Sequence, residues 1–549
     1  MTHRLKTIFL AFTRRERFIF FIALFFLAAS LGIKSSFFIR EHTQIVPTIG
    51  GEYNEGVVGQ PTYINPILAA SEPDKNLVRL LFSNALDVAD KIEIDKNGRI
   101  WKIRIKEGIV WADGKKLTSD DVIFTVERIQ SPESQSPYFL AWQGVNVSRL
   151  SELELQFNLG SPYPFFLEHL KRLYIAPKRL FAETPSANWR LSEYNLKPLG
   201  SGPYVFESYE KQPNGFIATY RLKANPRYFG KHPLIQNIIF RFYSKTSDLV
   251  NAFNTGAIDG FTELDPAALL QINRPHNIIS FALPNYYAVF WNQGQNLALK
   301  EQGVRQALSL AIDRGALVKL AFADQAAVMI DPLTAVNLSD VENYDFSYSP
   351  AEAVELLEQN GWKIGESGFR EKIIKNTPLR LEFGLIVPQI PFLSATAGYL
   401  EKAWGAIGVK VNVITLTTEE VVERAIRNRE YQAILFGNTL NPRNDLYAFW
   451  HSNERFYPGL NLSLYSNKKA DELMESIRAN FDEQSREKEL SGLKEVIAND
   501  YPAAFLYSPY YLFVATKELN GVISGSIAEP ADRLSQISEW YTRTTRTFK

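Results

Sequence analysis

Six histidines and no cysteine set narrow limits on the chemistry this chain can perform. His3, His42, His169, His232, His276 and His451 are so dispersed that no two fall within one helical turn, and no local pair has metal-ligand spacing. The absence of cysteine excludes disulfides, thiolate zinc sites, iron–sulfur clusters, a cysteine nucleophile and a lipid-modified N-terminal cysteine. None of G-x-S-x-G, H-E-x-x-H, G-x-x-x-x-G-K-[ST] or G-x-G-x-x-G occurs. Gly200-Ser201-Gly202-Pro203 has the outline of a phosphate loop, but Pro203 has no N–H to donate, and the segment reads as a tight turn entering a strand from Tyr204 to Ser208. The adjacent carboxylates Asp120 and Asp121 have acid–base capacity, yet at a helix amino terminus the helix dipole accounts for them. His451, in FWHS, is the one histidine in a pocket-like segment, and a hydrogen-bonded packing role is expected for it. No catalytic residue, metal or cofactor is expected.

The elements that carry these residues alternate between strand and helix. Ile100 to Ile105 and Glu152 to Phe157 show the period-two alternation of half-buried strands. Thr118 to Asp121 starts a capped helix, Ser349-Pro350-Ala351-Glu352 starts another in capping-box fashion, and Asn360-Gly361 ends it. Val304, Leu308, Ala311 and Ile312 trace one apolar helix face. From Leu379 the order is strand, helix (about Phe392 to Ala406), strand, helix (Glu419 to Asn428) and strand ending in Phe436-Gly437. That alternation implies parallel pairing, with ligand sites off the carboxyl ends of the strands, so the segment after Gly437 should point at a pocket.

At 549 residues and 62.5 kDa the chain exceeds one core, and about three or four units of roughly 150 residues are expected. Apolar residues at 46% and charged residues at 22% are ordinary globular values, which excludes wholesale disorder. Lys and Arg together number 60, as do Asp and Glu, so the surplus of positive charge that a nucleic-acid binder needs is absent.

The first 17 residues carry Arg4, Lys6, Arg14, Arg15 and Arg17 against Glu16 alone. Phe18 to Ile33 follows as 16 residues without a charge, close to the roughly 17–25 that span a membrane, with Arg17 and Lys34 able to snorkel. By the positive-inside tendency residues 1–17 stay in the cytoplasm and everything after Lys34 is exported. A cleaved signal peptide ending in Ala28-Ala29-Ser30 is the rival reading. A retained anchor is preferred, because further apolar residues follow that cluster rather than a polar break.

Six runs, in order, resemble the extracellular solute-binding proteins of family 5, the oligopeptide- and dipeptide-binding components of ABC importers. They are WADGKKLTSDDVIFTVERI from Trp111, PLGSGPYVFESYE from Pro198, LKANPRYFG from Leu222, GAID from Gly256, VRQALSLAIDR from Val304 and SPAEAVELLEQNGW from Ser349. The resemblance covers residues 50 to 515 and implies an α/β, two-lobed periplasmic-binding-protein fold of type II, with an extra subdomain in lobe I. On that basis residues 1–45 are the basic stub and anchor. Lobe I takes 46–90, 195–287 and 508–549, the extra subdomain 91–194, and lobe II 288–507. The implied function is capture without reaction: two lobes close around a peptide or related oligomeric solute, and ABC permease subunits recognise the closed form. The implied state is a monomer on the outer face of the membrane. A hydrolase of peptides or glycans, and a sensor or chaperone using the same fold, are the alternatives.

The resemblance also places the candidate ligand residues. In peptide-binding relatives an aspartate after the strand Tyr431 to Gly437 pairs with the peptide's free amino group, and here Asn438 stands in that place. An amide cannot neutralise a buried ammonium, and an unpaired buried charge is worth about 3–5 kcal/mol, so ordinary free-amine recognition is in question. Asn441 belongs to the same stretch, and Asp445 is the carboxylate placed to replace the lost charge. Trp291 and Asn292, just past the first crossing strand, and Trp450 and Tyr465 supply rings and amides for a ligand or for a core. Tyr63 and Asn65 fall in an early loop that faces the cleft in relatives, and Tyr507 lies at the return crossing.

Overall fold

The computed structural model describes residues 13–263, 266–336, 348–440 and 444–549. The apolar N-terminal run forms the helix Arg14–His42, longer at both ends than the uncharged stretch itself. Thr13 caps it reciprocally with Glu16, and none of its side chains is buried. Without a linker the chain then enters the strand Thr43–Pro47, which pairs antiparallel with Thr544–Phe548 in a separate two-stranded ribbon.

A mixed sheet of 14 strands among the described residues runs through the rest of the molecule. At one end Lys410–Leu416, Glu382–Pro388 and Ala433–Thr439 lie parallel, as the strand–helix alternation requires. Asn285–Trp291 joins them antiparallel along its whole length. At the other end are Gly260–Glu263, Glu52–Val58, Asn237–Tyr243, Ile217–Ala224 and Tyr204–Lys211. The 14-residue strand Ala503–Thr516 belongs to both halves. Its residues 503–507 pair with Asn285–Trp291, and its residues 510–516 pair with His276–Ala282. The change of partner falls at Leu283-Pro284 on one strand and Ser508-Pro509 on the other, where the Ser508 hydroxyl donates to Asn285 Oδ1 at 2.9 Å.

Side-chain alternation divides the interior. On Asn285–Trp291, Tyr286, Ala288 and Phe290 enter one core while Val289 and Trp291 enter the core on the opposite sheet face, the period-two consequence of a strand buried on both sides. On the shared strand, Ala503 to Tyr507 fill those two cores, whereas Tyr511, Phe513 and Ala515 fill a third that belongs to the other body. That third core also takes Trp101, Trp111, Phe124, Leu155 and Trp189, so the four-stranded sheet of Ala89–Ile94, Ile100–Ile105, Glu154–Asn158 and Asn146–Arg149 is fused to it. At its centre Arg533 pairs with Glu55, both fully buried, and Tyr53 donates to the same carboxylate. The 3-10 segment Pro530–Glu539 is thereby tied to the strand Glu52–Val58.

Several local expectations differ from the outcome. The face traced by Val304 to Ile312 belongs to the helix Gln302–Leu310, which stops there because Asp313 caps a new helix, Arg314–Phe322. Helix Glu419 to Asn428 is one turn, Thr418–Glu420, followed by a π-helical stretch, Val421–Ile426. In the Gly200 to Pro203 turn neither glycine has a left-handed φ. Their requirement is space: a Cβ at Gly200 would lie 1.7 Å from the Leu81 carbonyl oxygen, and one at Gly202 2.6 Å from that of Leu80.

Candidate functional site

The two bodies meet along a seam whose residues come from segments remote in sequence. On the first body the strand Glu154–Asn158 leads into Ser161-Pro162-Tyr163-Pro164-Phe165, where the prolines fix φ and a turn closed by the Phe166 N–H on the Tyr163 carbonyl enters the short helix Phe166–Arg172. Tyr163 and Phe165 are thus presented outward, and Phe165 packs on the second body's core. The second body answers with Asn444 and Asp445 and with the helix Lys468–Ala479, which Asn467 caps and which carries Arg478 in its last turn.

The closest contact is polar. Tyr163 Oη donates to Asp445 Oδ2 at 3.0 Å, Arg478 Nε lies 3.3 Å from the same oxygen, and the Tyr447 N–H donates to Asp445 Oδ1 at 3.2 Å. The Arg478 guanidinium sits between the Tyr447 and Tyr163 rings, 4.5 and 5.3 Å from their centroids. Burial and the Asp445 charge push the Tyr163 phenol well above its usual range, so it stays a donor. Farther along, Phe481 lies against Trp101 with centroids 6.1 Å apart, and Arg486 covers Phe165 at 5.7 Å.

Cavities flank this contact. One of about 260 Å³ lies at the crossing strands, lined by Phe165, Glu168, Lys171, Arg172, Pro284, Asn444 and Ser526 to Ala528. A groove of about 650 Å³ lies on the other side, bounded by Leu140 to Val145, Leu159 to Tyr163, His169, Tyr447, Glu475 and Arg478. Behind the helix Phe166–Arg172 a third space of about 170 Å³ is lined by Lys75, Arg79, Tyr138, His169, Arg172 and Glu529. His169 faces two of the three, and burial, with Arg172 and Arg478 nearby, lowers its pKa from 6.5 to about 4, so its ring is neutral. Among the described residues no group of three His, Asp or Glu side chains converges as a metal site.

Of the candidate ligand residues, Asp445 is at the seam. Asn438 is buried and donates to Tyr286 Oη at 2.9 Å, an oxygen that also accepts from Trp450 Nε1 at 2.9 Å. Tyr465 packs edge-on to Trp450 and donates to Asp500 at 2.6 Å, so these three form one interior cluster with Phe505. Trp291 is a core residue, enclosed by Phe383 and Trp404. Tyr507 is enclosed by Phe322 and Phe392, with its hydroxyl 2.7 Å from that of Thr396. Asn292 is spent on the Arg429 carbonyl and the Gly294 N–H. In the first body Asn65 is buried against Asn195, and Tyr63 is half-buried beneath Arg190. For Trp291 and Tyr507 the reason is that their strands are buried on both faces, so their rings take the core side of the alternative left open by the sequence. Asn441 lies outside the described residues. His451 stacks on Tyr447 at 4.0 Å and accepts from the Asn453 N–H, as a packing histidine does.

Sequence reasoning missed Tyr163, Phe165, Arg172 and Arg478. The available sign was SPYPFF itself, a proline-spaced aromatic cluster after a strand.

Comparison with known proteins places this geometry. The family described as bacterial extracellular solute-binding proteins, family 5 middle, matches residues 65–457. The oligopeptide-binding protein AppA of Bacillus subtilis is 26% identical over 536 residues, covering 94% of this chain and 96% of that protein. The dipeptide-binding protein of Escherichia coli is 23% identical, over 79% and 83%. Among solved structures, AppA of Bacillus subtilis in complex with a nonapeptide superposes with a TM-score of 0.65 at 25% identity, covering 90% of this chain and 99% of that one. The open, unliganded form of the murein tripeptide binding protein MppA gives 0.73 at 17% identity, over 92% and 99%, a likeness of fold. The fold is the mixed α/β fold of type II periplasmic binding proteins. With two bodies joined by shared strands and a matched region covering most of its length, this chain belongs to the bacterial extracellular solute-binding proteins of family 5.

Proposed function

We propose that this chain is the receptor of an ABC importer, taking a peptide or a related oligomeric solute into the seam between its two bodies and handing it on unreacted. The observation that carries this reading is the pairing of two separately cored bodies through Asn285–Trp291 and Ala503–Thr516, with cavities of about 260 and 650 Å³ where they face each other. Ligand sites of roughly 300–1,000 Å³ between domains are ordinary, and a space of this size suits a short oligomer. Relatives named for oligopeptides and dipeptides support the solute class.

Lobe I in this reading comprises 46–90, 195–287 and 508–549 with the subdomain 91–194, and lobe II comprises 288–507. The hinge is set by the change of strand partner at Leu283-Pro284 and Ser508-Pro509. The helix Arg14–His42 is taken as a retained membrane anchor, so the body works tethered outside the cytoplasm beside its permease. The ligand surface is assigned to Asp445 and the residues lining the cavity at the crossing strands, and the Asn438 amide would have to leave Tyr286 to meet a ligand.

Native mass spectrometry of the gently purified full chain, followed by calorimetry with the ligand found, tests the proposal. A bound oligomer recovered with unchanged mass supports it. Cleavage products accumulating with time would replace it with hydrolysis, and a ligand-bound form that never associates with permease subunits would replace import with sensing.

A further inference from the structure

The ribbon at the foot of the body is unusual in having nothing beneath it. Thr43–Pro47 and Thr544–Phe548 pair in full register from Thr43 with Phe548 to Pro47 with Thr544, and the Lys549 N–H donates to the His42 carbonyl at the end of the helix. The two strands form their own sheet, apart from the others. A lone two-stranded ribbon is marginal in water, and this one leaves Ile45 61% and Phe548 76% exposed.

Register places Thr43, Ile45, Pro47, Thr544, Arg546 and Phe548 on one face, since directly paired residues share a side, while Gln44, Val46, Thr545 and Thr547 occupy the other. Arg40, Arg543, Arg546 and Lys549 surround the ribbon, and among the described residues none of them makes an ion pair. The polar contact of the Arg546 guanidinium is to Thr43 Oγ1 at 3.2 Å. From Phe18 to Ile39 the helix has 22 residues, about 33 Å at 1.5 Å per residue, against a hydrocarbon core of about 30 Å. With Lys34 snorkelling, Phe37, Phe38 and Ile39 reach the interface, and Arg40 and the ribbon arrive at headgroup depth.

Resting on the anchor reading above, we infer that the ribbon is a membrane-docking surface: its Ile45, Arg546 and Phe548 face lies on the anionic headgroups of the membrane that the helix enters. The aromatic and aliphatic side chains enter the interface, and Arg546 on that face, with Arg40 at the end of the helix, meets lipid phosphate. The body is thereby held against the bilayer at a fixed attitude instead of swinging on a flexible stalk.

The test uses the full chain in nanodiscs of phosphatidylcholine alone or with phosphatidylglycerol, reading hydrogen exchange of the ribbon amides. Slower exchange in the anionic discs is expected. In the double variant Arg40→Gln, Arg546→Gln the docked-to-free ratio falls about five-fold per cation, on the order of 25-fold together. Phe548→Ser weakens docking at unchanged charge. Equal exchange in both lipids overturns the inference, as does protection that appears only when permease subunits are added. Intact mass read first separates the two failures: a chain starting after Ser30 removes the anchor and the docking together, whereas an intact helix with an unprotected ribbon removes only the docking.

Discussion

Replacing Tyr163 by Phe removes one oxygen from the contact that joins the two bodies. The phenol donates to Asp445 Oδ2 at 3.0 Å, and the Asp445 side chain is only 11% exposed. A hydrogen bond to a charged group contributes about 1.5–3 kcal/mol, and Arg478 and the Tyr447 N–H remain on the carboxylate after the change, so the penalty for a bare acceptor is small. The ring stays to cover Arg478 and the apolar contact of Phe165 is untouched, leaving a net loss of about 1–2 kcal/mol. That is a factor of about 5–30 in the closed-to-open ratio of the empty receptor. Single-molecule energy transfer between dyes on the two bodies reads this ratio directly. Ligand affinity should fall with it, because binding draws on the closed population. If the distance distribution and the affinity of Tyr163→Phe match those of the parent, the contact does not govern closure and the reasoning is wrong.

Other perturbations reach the rest of the molecule. Arg533→Met strands the buried Glu55 carboxylate and should lower stability by about 3–5 kcal/mol, seen as a lower denaturation midpoint; a loss below about 1 kcal/mol would mean the carboxylate is protonated or hydrated. Gly200→Ala drives a methyl into the Leu81 carbonyl at the end of the helix Glu72–Leu81 and should cost about 1–3 kcal/mol or prevent folding, whereas a wild-type melting curve would show that this helix end can retreat. His169 is neutral in the folded protein with a pKa of about 4, against an ordinary 6.5. As pH falls the unfolded chain takes up its proton first, so up to about 3 kcal/mol present above pH 6.5 is lost by about pH 4. Urea titrations should show this loss in the parent and a flatter profile in His169→Gln. Asn438→Asp should improve binding of free-amine peptides at a stability cost of about 1–3 kcal/mol for the buried carboxylate. Calorimetry showing unchanged or weaker affinity would place Asn438 away from the ligand amine.

What was legible in the sequence follows from the range of the interactions concerned. Caps at Thr118 and Ser349 are three-residue events, and they stand where the sequence puts them. The parallel order from Glu382 to Thr439 follows from strands and helices alternating at short range. The seam was not legible, because Tyr163 and Asp445 meet across 282 residues and only the folded topology brings them together. The aromatic candidates stayed open between ligand and core for a related reason. A sequence shows that Trp291 and Tyr507 fall at crossing strands, but not that both faces of those strands are already covered.

The strand Ala503–Thr516 has a consequence for how the molecule is made. It supplies an interior strand to each lobe, and Arg533 and Trp540, still later in the chain, complete the first lobe's interior. During synthesis neither half can reach its final packing until the ribosome has delivered nearly the whole polypeptide. For any protein exported unfolded such lateness is an advantage, because little is rigid until the last segment has emerged, and the strand that delays assembly is also the one that joins the two bodies.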